Sequence, residues 1–98
     1  VSWDAHLAED RRLALLRLLD AAPGYAANDS LLHAALERIG HTIARDVIRT
    51  DAAWLAEQGL VRTETVHGVL VVTITGRGQD VARGRAIVPG VKRPRPGD

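Results

Sequence analysis

Arg45 and Arg49 stand four residues apart in the segment TIARDVIRTDAAWLAEQ, so a helix there puts both guanidiniums on one face, one turn apart. A guanidinium presents a planar fork of donors that matches phosphate oxygens or the major-groove edge of guanine. Ala52, Ala53 and Ala56 share that face and would let the helix sit deep in a groove. His41 and Thr42 come just before it, where a helix N-terminus can meet an anion, although capping alone accounts for Thr42. Arg62 and Arg77 flank a candidate hairpin with His67 at its tip, positions suited to backbone phosphate. The same arginines also fit a solvated face paired with acids, because Asp46, Asp51 and Glu57 lie on the same helix.

Other chemistries find little here. His6, His33, His41 and His67 include no i, i+4 pair of the kind that holds zinc, and the chain has no cysteine. GRGQDVARGR contains glycines without the pattern of a phosphate-binding loop. Ser2 and Ser30, the only serines, do not sit in a nucleophile elbow. Catalytic residues, a metal and a cofactor are therefore not expected.

The chain has 98 residues, enough for one small domain with a modest core. Its 13 cations and 12 acids leave a formal charge of +1, which excludes a strongly basic, sequence-blind nucleic-acid binder. All cations but Lys92 are arginine, a skew that suits bidentate contacts and that GC-rich coding also produces. Three aromatics and no Phe leave no stacking platform for single strands. No apolar run approaches the roughly 20 residues of a membrane span, and VSWDAHLAEDRR lacks the order of a signal peptide, so a cytoplasmic protein is expected.

The elements that must hold the arginines follow from periodicity and punctuation. At about 100° per residue, Leu7, Ala8, Ala14, Leu15, Leu18, Leu19 and Ala22 share one face of a helix over 3–22, ended by Pro23-Gly24. Leu13 and Leu16 fall off that face, which suggests either a dimer or partner surface or a helix wrapped by its neighbours. A second helix of about ten residues is capped by Asp29 or Ser30 and closed by Gly40. After a Gly40-His41 turn, the third runs over 43–58 from a cap at Thr42. Its core arc includes Asp51, which requires an Arg or backbone donor as partner.

Segments 60–66 and 69–75 are β-branched and separated by His67-Gly68, the signature of a tight hairpin. Val61, Thr63, Thr65, Leu70, Val72 and Ile74 share its inner face, while Val69 and Val71 add apolar surface to the outer one. Thr75 caps a last helix over 76–85. Residues 1–86 then form the domain, and 87–98 read as a flexible, basic, proline-rich tail that either follows a minor groove or only aids solubility. The order is that of an α+β winged helix-turn-helix with three helices, a two-stranded β-hairpin wing and a C-terminal helix.

WDAHLAEDRRLALLRLL, RDVIRTDAAWLAEQGLV, TITGRGQDVARG and VPGVKRPRP together resemble a family of small proteins of Mu-like phages and prophages, grouped with ArsR-like winged-helix regulators. The resemblance covers nearly the whole chain, and AWLAEQGLV and VPGVKRPRP are its most specific parts. It implies a DNA-binding, regulatory role in phage biology inside a bacterial host. Metal-sensing ArsR proteins carry a cysteine box on the recognition helix; this helix has none, so metal control is not implied. The expectation is a homodimer on double-stranded DNA through His41, Thr42, Arg45, Arg49, Arg62, His67 and Arg77. The competing expectation is a non-enzymatic interaction module for a phage or host protein that kept the scaffold without binding DNA.

Overall fold

A computed structural model describes residues 2–97. Helix α1 (Trp3–Ala21) is followed by a single 3₁₀ turn (Pro23–Tyr25), strand β1 (Ala26–Asn28) and helix α2 (Asp29–Arg38). Then come α3 (Arg45–Glu57), β2 (Val61–Val66), β3 (Val69–Ile74) and α4 (Gly76–Ala82). The strands form one antiparallel sheet in the order β1-β3-β2.

Local signals set most boundaries. Ser2 caps α1 by accepting from the Ala5 N–H, and Thr75 caps α4 by accepting from the Gly78 N–H at 3.0 Å. Gly40 (φ 99°) closes α2, where the N–H of His41 donates to the Leu36 carbonyl at 2.9 Å. His67 (φ 50°) and Gly68 (φ 77°) both occupy the left-handed region, as a two-residue turn with native strand twist demands. Val66 therefore pairs with Val69, and the register runs to Val61 opposite Ile74.

The α+β class is observed, with several corrections in detail. The sheet has three strands, because the short segment Ala26–Asn28 pairs with Val71–Thr73. Two alanines and an asparagine carry no strand signal; only the long-range ladder makes them one. The cap of α2 is Asn28, whose side chain accepts from the Leu31 N–H at 2.8 Å, while Asp29 turns inward. Helix α3 begins at Arg45 after Ala44, with no side-chain cap, so Thr42 is not its N-cap. The link between α2 and α3 spans residues 39–44 rather than a two-residue turn. Helix α4 stops at Ala82, short of Arg85.

The core corrects two further expectations. Leu13 and Leu16 are buried together with Leu15 and Leu19, since α1 packs against α2, α4 and the sheet at once. They are interior residues and offer no partner surface. Beyond Ala86, Val88 and Val91 also enter the core, Arg12 donates to the Gly90 carbonyl at 2.9 Å, and the Lys92 N–H donates to Glu9 at 3.1 Å. The stretch expected to be an unpacked tail is thus docked on α1 at least to Lys92. Two valines amid prolines supply an anchor that composition alone conceals.

Candidate nucleic-acid interface

Helix α3 buries Ile48, Asp51, Ala52 and Leu55. Its solvent side carries Arg45, Asp46, Arg49, Thr50, Ala53 and Glu57. Ala52, expected on that outer side, is buried, so the face is narrower and centred on Arg45, Arg49 and Ala53. Arg45 is exposed at the first position of the helix and makes no ion pair among the described residues. Arg49 is half exposed but engaged, since its Nη2 donates to Asp29 Oδ2 at 3.0 Å and its Nε lies 3.3 Å from the same oxygen. Asp29 is buried, so this pair also fixes the start of α2 against the middle of α3. Nothing in the local sequence marks it, because the partners are 20 residues apart.

The hairpin is positioned through its base. The Leu60 N–H donates to the Leu55 carbonyl at 2.9 Å, and the Thr75 hydroxyl donates to the Gly59 carbonyl at 2.7 Å. Those bonds tie the end of α3 to the entry of β2 and the start of α4. Arg62 and Glu64 share the exposed outer face of β2, His67 sits exposed at the tip, and Arg77 is exposed in the first turn of α4.

His41 and Thr42 separate. Thr42 is exposed in the link, one turn ahead of α3. His41 is only 7% exposed, and its Nε2 donates to Asp10 Oδ2 at 2.7 Å. The other oxygen of Asp10 accepts from Lys92 Nζ at 3.3 Å. One carboxylate on α1 thereby gathers the α2–α3 link and the C-terminal segment, and His41 is not placed to meet a ligand at the helix start. His33 is likewise spent on structure, with its Nε2 at 2.8 Å from the Ile43 carbonyl. Among the described residues no cluster of His, Cys, Asp or Glu is arranged to hold a metal ion, and no helix is long and apolar enough to cross a membrane.

The uncharacterized protein gp26 of Escherichia phage Mu is 56% identical over 91 residues, which cover 92% of this chain and 93% of its own length. The chain belongs to the Mu gp26 family. An uncharacterized protein of Haemophilus influenzae is 42% identical to this chain over 78 residues, which cover 79% of this chain and 76% of its own length. No protein-family model and no solved structure matches the chain.

The Asp10 junction of this gp26-family protein has a consequence for pH. Partial burial pushes the Asp10 carboxyl up, but hydrogen bonds from His41 and Lys92, with the charge of Lys92, outweigh it and hold the group below its ordinary value of 3.8. A carboxyl depressed in the folded state stabilises the fold at pH above its unfolded value, and that contribution disappears as pH falls through the lower folded value. Asp10→Asn is therefore expected to lose stability near neutrality and to show a shallower acid limb below about pH 4. Urea titrations at a series of acid pH values check this; parallel limbs for the two proteins would refute it.

Proposed function

We propose that this gp26-family protein is a winged helix-turn-helix that binds double-stranded DNA in phage transcription control. The observation that carries the reading is the order α1-β1-α2-α3-β2-β3, with β1 closing onto β3 behind a tight hairpin. That arrangement leaves the outer side of α3 and the hairpin tip exposed while α2, α4, β1 and β3 pack against α1. Arg45 is the residue best suited to read a base edge, with Ala53 permitting close approach and Thr42 ahead of the helix. Arg62, His67 and Arg77 fit backbone phosphate. Arg49 contributes from within its pair with Asp29, which aims the guanidinium while costing it part of its donor capacity. His41 supports the link from the interior.

Fluorescence anisotropy with promoter DNA of the host phage genome, across a salt series, tests the reading. Saturable binding should weaken steeply as salt rises. Arg45→Ala should cost about 1–3 kcal/mol of specific binding if the residue reads a base, or lower the salt slope by about one if it touches only phosphate. A second reading is favoured by Val66 and Val69, exposed side by side on the outer face of the hairpin. Such a patch suits a protein-interaction module. Absence of saturable DNA binding at low salt, with a stable complex to another phage protein, would replace the first reading by the second.

A further inference from the structure

Strand β2 lies at the edge of the sheet, and its free side has a regular pattern. Val66 and Val69 close the two-residue turn as a hydrogen-bonded pair, so by antiparallel alternation Val66, Glu64 and Arg62 turn their backbone groups toward β3. Val61, Thr63 and Thr65 turn theirs outward. Among the described residues no backbone or side-chain group outside the sheet bonds to those three; Thr63 and Thr65 are exposed, while Val61, at the base beside α3, is buried, so the open part of the edge is Thr63 to Thr65. Exposed edges are commonly protected by a proline, a bulge or charged side chains. This one has Arg62 and Glu64, opposite in sign, on either side of Thr63.

We propose that β2 is a dimerisation edge, and that a second copy of this chain adds its own β2 antiparallel about a twofold axis at Thr63. The register follows from parity. Thr63 faces Thr63 of the second copy, with N–H and C=O pointing across the new seam, and Thr65 lies opposite the buried Val61 at the end of the contact. Arg62 then stands opposite Glu64, and Glu64 opposite Arg62, at the close non-hydrogen-bonded positions on the outer face, where cross-strand opposite charges attract. The contact is isologous, so one Arg-Thr-Glu triplet supplies both halves. Its outcome is a continuous six-stranded sheet, and it requires no DNA.

Sedimentation equilibrium of the full chain tests the edge by charge reversal. Arg62→Glu and Glu64→Arg each set like charges opposite one another twice, and each should raise the dimer dissociation constant roughly tenfold or more. The double swap restores both pairs and should restore the dimer, and mixing the two single variants should give a heterodimer. Thr63→Pro removes one outward N–H without touching the ladder to β3, so it should give a monomer whose circular dichroism matches the wild type. A wild-type chain that stays monomeric at millimolar concentration overturns the proposal. So does a dimer indifferent to both single reversals, which would place the contact elsewhere on the molecule.

Discussion

Replacing Asp51 with Ala is expected to destabilise the fold by about 3–5 kcal/mol. The carboxylate is 2% exposed and accepts from Arg11 through both Nε and Nη2, the latter at 3.1 Å, with Arg12 Nε 3.6 Å away. Both arginines are mostly buried, and Arg12 also stacks over Trp54 at 4.3 Å while holding the Gly90 carbonyl. Without Asp51, two guanidiniums are left close together with no counter-charge, and Arg12 Nε already has no hydrogen-bond partner. On a domain of this size the loss corresponds to about 15 °C or more in Tm. Thermal and urea unfolding followed by Trp fluorescence measure it. Asp51→Leu combined with Arg11→Met should recover part of the loss, since well-packed apolar side chains replace buried ion pairs at little cost. A single variant within about 1 kcal/mol of wild type would mean that the network contributes no more than a surface pair.

Gly78→Ala is the second large effect, expected at about 3 kcal/mol, near the upper end for overpacking. A methyl group there would run into the Leu60 carbonyl oxygen and lie 2.7 Å from Ile74 Cγ1 and 3.0 Å from the Leu60 carbonyl carbon. Backbone atoms have no rotamer with which to yield. That carbonyl also accepts the Thr75 N–H at 3.0 Å, so it cannot move without disturbing the cap of α4. The whole helix would have to lift, carrying Val81 and Ala82 away from α1. Gly76→Ala is the control, because nothing lies within 4 Å of its Cβ position and its φ is not positive. It should leave stability unchanged or raise it by up to about 1 kcal/mol through the better helix propensity of Ala. Similar melting temperatures for the two variants would refute the close-packing account. The glycines of GRGQDVARGR thus differ in purpose: Gly78 lets a helix sit on a strand, which a reading in search of phosphate loops would pass over.

The gp26-family fold was legible wherever a boundary depends on a few neighbouring residues. Gly40 past α2 and His67-Gly68 between strands take left-handed backbone conformations that few other residues favour, and Thr75 before α4 supplies a side-chain acceptor for a free helix N–H. The burial of Asp51 beside an arginine was legible too, because helical periodicity placed a carboxylate in the core arc and electrostatics required a partner. The candidate interface was legible only in part. Arg45, Arg62, His67 and Arg77 are exposed as their positions suggested. His41 stands where a helix N-terminus can meet an anion, yet Asp10, 31 residues away, claims it.

Sequence by itself determined the α+β class, the Gly40 stop of α2, the Thr75 cap of α4, and the hairpin with its register, because these rest on dihedral preferences and periodicities confined to short windows. Tertiary structure alone decided that Ala26–Asn28 is a strand, that Leu13 and Leu16 are interior, and that Val88 and Val91 anchor the C-terminal segment. It also decided which charges are free and which are spent, through Arg49 on Asp29, His41 on Asp10 and Arg11 on Asp51. A side chain's partner is chosen by distance in space, and in this chain those distances join residues that lie 20 to 40 positions apart.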